Sequence, residues 1–368
     1  MRSRKLIGIA LIAMSSLLAT GCSLQGKAET QKTVVINEDV QLESSLADSS
    51  LAVSRKPDIE IGKNILNRPF YQGISSEKIN FNKNGVLYSL DIKKGEEKKV
   101  ADREAFTISE DGNWALSYEN NYRELYIHNL QSGDMKLLEN ASPEDARFIG
   151  DEVAYADYNT SVLTLINPKT NERATWNLSR FKDFSISSMT KENSNVYIAV
   201  GSEKDGYGIH RLIENQEIET IFNLSGRDTQ VSDFTMLQDG SVIFQGTYDG
   251  KDGIFYLDQK TKDVQQLVSG GEDDEGKWVP FYNLSPDKSK IMFGMPVQIE
   301  HDYKVNIYMA ELVEGQLTNS TRIMENADLN AVISISGDWS KDSKTAYIKT
   351  AAKNKENVGN IAVFQVNE

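Results

Sequence analysis

The chain is poor in the residues that much of protein chemistry relies on. Its 368 residues include one cysteine, Cys22, and three histidines, His128, His210 and His301. A single cysteine excludes a disulfide framework and any cysteine-based metal cage, and the histidines are too scattered to form a local metal or acid–base motif. Positive charge is also scarce. Lys plus Arg total 40 against 54 Asp plus Glu, for a formal charge of −14, which argues against an open basic face for nucleic acid. No Gly-x-Ser-x-Gly elbow, HExxH pair, phosphate-cradling loop or dinucleotide fingerprint occurs, so no cofactor is expected. What is present is an ordinary globular mixture, 39% hydrophobic and 26% charged. That is enough apolar material for a sizeable core, and it excludes wholesale disorder.

The chain also lacks a long hydrophobic run. Arg2, Arg4 and Lys5 precede an uncharged stretch from Leu6 to Ala19, which is 14 residues long. A bilayer-spanning helix needs roughly 20, so the length suits the core of a signal peptide. The sequence that follows, Leu18-Ala19-Thr20-Gly21-Cys22, resembles the lipobox of bacterial lipoproteins. In that motif small residues let a peptidase reach the backbone, and the thiol is the side chain able to form the thioether to lipid. The resemblance implies a signal peptide over residues 1–21 and acylation of Cys22, with palmitate-type chains holding the protein to a cell membrane on its extracytoplasmic face. Loss of the leader makes the mature chain more acidic, so anionic lipid repels it and the acyl chains must do the anchoring. Residues 22–57 are rich in Ser, Glu, Asp, Lys and Gln and read as a flexible tether, leaving 58–368 as the folded domain.

That domain is repetitive. One unit runs Ser109-Glu110-Asp111-Gly112-Asn113-Trp114-Ala115-Leu116, then Leu125-Tyr126-Ile127-His128, a turn at Ser132-Gly133-Asp134, and Met135-Lys136-Leu137-Leu138. Each piece alternates apolar and polar residues and is bounded by turn residues, the pattern of a meander of short antiparallel strands. Turns between first and second strands fall near Lys78, Gly112, Asp151, Ser194, Gly240, Lys288 and Ser343. Turns between third and fourth strands fall at Gly95, Gly133, Asn171, Asn215, Lys262 and Gly315. The two sets keep step at about 44 residues per unit. Four-stranded units of this length cannot bury both faces alone and must stack as the blades of a propeller. The fold class is therefore all-β, a propeller of four-stranded antiparallel blades. Seven fit the count, with six or eight as alternatives. The last unit ends one strand short, and Asp58-Ile59-Glu60-Ile61 is the segment expected to complete it and close the ring.

Ser109-Glu110-Asp111-Gly112-Asn113-Trp114 and Ser285-Pro286-Asp287-Lys288-Ser289-Lys290 resemble the Ser-Pro-Asp-Gly-Lys signature of TolB-like and WD-like β-propellers, with Lys288, Ser343 and Ser194 standing where glycine is usual. The chain as a whole is similar to uncharacterised lipoproteins of spore-forming Gram-positive bacteria. These are resemblances of scaffold, which carry little functional information.

The second-to-third-strand segments carry Tyr122, Tyr158, Tyr207, Tyr248 and Tyr303. In a propeller such segments emerge at one end of the ring, and tyrosine combines apolar area with a polar handle. The expected function is a non-catalytic scaffold that binds a protein or an envelope polymer through this rim, with no nucleic-acid partner. The alternative is a channel-based enzyme acting on cell-wall carbohydrate through paired carboxylates. The acidic run Glu272-Asp273-Asp274-Glu275 reads as a solvated loop rather than a calcium site, since its spacing is not that of an EF-hand.

Overall fold

The alternation of apolar and polar residues becomes strand throughout a computed structural model. It describes residues 51–63, 71–75, 78–119, 124–139, 141, 146–202, 206–213, 217–224, 228–273, 276–299, 302–328, 338–351 and 358–367. All regular secondary structure among these residues is β. It forms seven four-stranded antiparallel sheets and one two-stranded hairpin. In chain order blades 1 to 6 occupy residues 71–101, 107–138, 147–177, 184–223, 230–269 and 281–328. Blade 7 combines strands from 338–366 with an N-terminal strand, Val53–Lys63. Of the three blade numbers considered, the fold has seven.

The ring is held by seven apolar clusters, one at each boundary between neighbouring blades. Ile198 and Leu163 meet between blades 3 and 4, Phe244 and Phe222 between 4 and 5, and Phe293 and Ile254 between 5 and 6. Met309 and Phe364 join blades 6 and 7, Ile79 and Ile361 join 7 and 1, and Leu116 and Val153 join 2 and 3. Among the described residues the boundary between blades 1 and 2 has the fewest buried apolar members, Leu87, Ala105, Ile108 and Ala115. First strands of neighbouring blades touch one another at five of the seven boundaries, all but those of blade 6, which places the first strands innermost around the axis.

Closure follows the expected route. Val53–Lys63 pairs antiparallel with the last strand, Val358–Val366, placing Ile59 opposite Ile361 and Val53 opposite Val366. The closing strand thus reaches back to Val53, beyond the Asp58–Ile61 segment that signals it in the sequence. The register shifts between Lys56 and Ile59. Pro57 lies in that irregularity, on an edge strand where a missing N–H is tolerated. Ahead of it Leu51 is 7% exposed within the cluster between blades 6 and 7. Its amide donates to the Asn319 carbonyl at 2.8 Å, and its carbonyl accepts from Thr321 Oγ1 at 2.9 Å.

The turn chemistry explains why glycine can be replaced. Ser194, Lys288 and Ser343 hold φ of 65°, 59° and 59°, the left-handed conformation that Gly112 and Gly240 adopt at the same place in their blades. Asn171 and Lys262 do the same at third-to-fourth-strand turns. These substitutions keep the turn but carry backbone strain.

Candidate functional site

One end of the ring is built from the turns joining first to second strands, and in three blades the signature residues lock them identically. Ser109 Oγ donates to Asp111 at 2.6 Å and accepts the Trp114 amide at 2.9 Å. Ser285 repeats this with Asp287 (2.6 Å) and the Lys290 amide (2.9 Å), and Ser340 with Asp342 (2.5 Å) and the Thr345 amide (2.8 Å). Each aspartate also accepts the backbone N–H two residues on, from Asn113, Ser289 or Lys344. The third copy, Ser340-Lys341-Asp342-Ser343-Lys344, is visible in the sequence only through its Ser-x-Asp spacing. Burial opposes ionisation of Asp287, but hydrogen bonds from Ser285 and Ser289, with Lys290 nearby, outweigh it and hold the carboxyl at about 2. Asp111 is lowered in the same way against its burial, by Ser109 and Asn113. Asp342 is lowered by the Ser340 hydroxyl and the Lys344 amide.

These turns are tied to one another around the channel mouth. The Asp111 amide donates to the Asp151 carboxylate and the Asp287 amide to Ser343 Oγ, each at 3.0 Å. Lys288 reaches from blade 6 to the Glu192 carboxylate of blade 4 and to the Met236 carbonyl of blade 5, the latter at 2.8 Å. Lys191 of blade 4 pairs with Glu152 of blade 3, and Ser188 bonds Asp233 of blade 5. Beside Lys288 a chamber of about 280 Å³ is lined by Asp233, Thr235 and Tyr282. The Tyr282 hydroxyl lies 3.1 Å from both Thr235 Oγ1 and the Ile243 carbonyl. The charged groups named here are occupied in cross-blade clamps. No local sequence signal pairs Lys288 with Glu192, which lies 96 residues earlier.

At the opposite end lie the tyrosines. Tyr158 sits in a turn of blade 3 and is 38% exposed, with its ring centroid 5.4 Å from that of Phe184. The others that are described are strand residues rather than loop residues. Tyr207 is in Gly206–Leu212, with its ring over Gly201, where an added Cβ would meet it at 2.6 Å. Tyr248 ends Val242–Tyr248 and packs by Phe244 and Phe255 at centroid distances of 6.2 and 5.9 Å. Both rings lie half-buried against the cluster between blades 4 and 5. Tyr303 is in the strand Asp302–Val313, opposite Gln298. Tyr122 and Cys22 lie outside the described residues. The structure thus brings Tyr207 and Tyr248 to one cluster and leaves Tyr158 open.

The described histidines serve packing. His128 meets Ser117 Oγ inside blade 2, and burial, with Arg103 nearby, lowers its pKa to about 4. The His210 ring packs tilted against Phe181, with centroids 4.7 Å apart, and lies 3.1 Å from Thr220 Oγ1; burial and then Arg180 lower its pKa to about 4. His301 lies outside the described residues. The described part of the acidic run is strand: Gly271–Asp273 and Gly276–Trp278 pair with Glu272 opposite Lys277, while Asp274 and Glu275 lie outside the described residues. Among the described residues no group of three or more His, Cys, Asp or Glu side chains gathers as a metal site.

Comparison with protein-family models and with curated sequences finds no match. Solved structures do match. The WD40 repeats of RRP9 superpose with a TM-score of 0.51 at 12% identity, covering 83% of this chain and 100% of that one. The β-propeller domain of Cps50 (Swd1) from Myceliophteria thermophila gives 0.50 at 11% identity, covering 86% and 100%. TolB from Acinetobacter baumannii gives 0.41 at 14% identity, covering 79% and 77%. At these identities the likeness is one of fold, and together with the seven four-stranded sheets it shows a seven-bladed β-propeller.

Proposed function

We propose that this protein is a lipid-anchored propeller on the extracytoplasmic face of a cell membrane, acting as a non-catalytic scaffold for a protein or envelope-polymer partner. The anchor rests on Leu18-Ala19-Thr20-Gly21-Cys22 and its resemblance to a lipobox. The observation that carries the scaffold reading is the use of charge at the channel mouth. Lys288, Glu192, Lys191, Glu152 and Asp233 are engaged in holding blades together, which suits a rigid platform. A channel-based carboxylate enzyme would need a general acid raised toward neutral pH. The turn carboxylates Asp111, Asp287 and Asp342 instead lie below the ordinary range, so none of these three is poised as that acid. Tyr158, exposed beside Phe184, is the described tyrosine best placed to meet a partner.

Two measurements test the proposal. Metabolic labelling with a fatty-acid analogue should mark the protein, and Cys22→Ala should abolish the label and free the chain from membranes; undiminished label on the variant refutes the anchor. Affinity capture from cross-linked membranes should lose the partner in Tyr158→Ser at an unchanged melting temperature. Tyr248→Ser should instead destabilise the fold by roughly 2 kcal/mol, because its ring packs on two phenylalanines. Undiminished capture by a stable Tyr158→Ser protein removes this tyrosine from the binding surface.

A further inference from the structure

The boundary between blades 1 and 2 departs from the other six. Among the described residues its buried apolar members are Leu87, Ala105, Ile108 and Ala115, without the aromatic side chains that fill the boundary between blades 4 and 5. Toward the turn end the sheet of blade 1 replaces apolar residues with a polar row. Strand register sets Asn80 opposite Ser89 and Ser89 opposite Lys98, so three neighbouring strands present these side chains on one face. The next row along that face is Lys78, Asp91 and Glu96. Together they line a groove of about 690 Å³, to which blade 2 adds Asn113 and Gln131 and blade 7 adds Lys341.

Ser89 is the anomaly in this groove. It is 9% exposed, and its hydroxyl has no hydrogen-bond partner among the described residues. A buried hydroxyl left unpaired is destabilising, and native folds seldom tolerate one. Lys98, directly opposite, makes no ion pair among the described residues, and neither does Lys341. The row therefore offers a hydroxyl, an amide and an ammonium, three groups able to donate to one acceptor-rich ligand atom set. Charge around the row narrows the ligand. Asp91 accepts the Lys93 and Lys94 amides, each at 3.0 Å, so its charge is already engaged. Glu96 and Glu110 also line the groove and oppose a polyanion.

We propose that this groove binds a sugar- or polyol-sized ligand carrying a single oxyanion, a carboxylate or a phosphate, seated on Asn80, Ser89 and Lys98. Its hydroxylated remainder meets Asn113, Gln131 and the flanking carboxylates. The volume is that of a small-molecule pocket. The groove lies at the turn end of the ring, opposite the tyrosines, and does not depend on them.

Titration calorimetry of the full chain tests this with four probes: glycerol 3-phosphate and glucuronate, with glycerol and glucose as their uncharged counterparts. Saturable binding of at least one charged probe, and of neither uncharged one, is expected; which of the two binds tells phosphate from carboxylate. Lys98→Met should weaken binding about tenfold or more, as expected for loss of a charge-assisted hydrogen bond. Ser89→Ala should weaken it too, and should leave the melting temperature of the unliganded protein unchanged or raised, since it removes an unpaired buried group. Absence of binding by both charged probes up to about 10 mM, equal binding by both variants, or a lowered melting temperature in Ser89→Ala would each overturn the proposal.

Discussion

Removing the strand that closes the ring should be far more damaging than removing all that precedes it. A chain beginning at Leu51 keeps the complete closing strand, Val53–Lys63, and the Leu51 contacts with Asn319 and Thr321. A chain beginning at residue 66 loses both. Leu51 is 7% exposed, and Val53 and Ile59 pack half-buried against the clusters on the two sides of blade 7. Returning these three side chains to water costs about 4 kcal/mol on transfer values, an upper figure because unfolded chains bury some area themselves. Roughly six lost ladder hydrogen bonds, each worth about 1 kcal/mol net, add to this, so a total of about 10 kcal/mol is expected. Unfolding entropy of roughly 2.1 cal/mol/K per residue, taken over about 300 residues, converts this to a fall in melting temperature of about 16 °C. Circular dichroism melts of the two truncations supply the measurement, and size-exclusion chromatography should show the shorter one associating through its bared edge. A synthetic peptide spanning residues 51–65 should restore the melting temperature by adding the strand in trans. Equal melting temperatures for the two truncations would falsify the account of closure.

Two further outcomes follow from buried titration and from turn strain. His128 and His210 have folded pKa values near 4, below the ordinary 6.5. The unfolded chain therefore binds more protons between pH 6.5 and 4, and stability present above that window is lost as pH falls through it. With allowance for residual solvent access, each histidine should remove roughly 2 kcal/mol by pH 4.5. Urea melts of His128→Gln/His210→Gln should show a shallower pH dependence than the parent, and identical profiles would refute the assignment. Ser194 is exposed and holds φ of 65°. Ser194→Gly should relieve that strain and stabilise the protein by about 0.5 kcal/mol net of glycine's unfolded-state entropy. A loss of stability there would show that the serine side chain contributes something the backbone argument omits.

Much of the fold was legible because a propeller repeats its local instructions. Gly112, Gly240, Asn171 and Lys262 all have positive φ at the turns their spacing marks, and Ile59 pairs where an unfinished last unit called for a strand. The candidate sites were less legible. Tyr158, Tyr207 and Tyr248 hold similar places in their units, yet two are strand residues packed on Phe222 and its neighbours and one is open. The difference arises from how far each strand extends before it turns, which neighbouring blades set. The run from Gly271 to Trp278 reads as a loop because it is acidic, but its two described segments pair as short strands with Glu272 opposite Lys277 in the backbone register.

The sequence alone determined most of the strands and turns and the stacking of four-stranded units, with seven fitting the count and six or eight left open. Those depend on side-chain alternation and on which residues accept a left-handed φ, and both act over a few neighbouring positions. Tertiary structure decided which charges meet. Lys288 finds Glu192 because the inner turns of blades 4 and 6 converge on one axis. Asn80, Ser89 and Lys98 form a row because three strands pair in one register, and that row faces a groove because blade 2 presents little apolar surface to cover it. No local preference encodes such meetings, since they exist only after the ring has closed and strands distant in sequence are brought side by side.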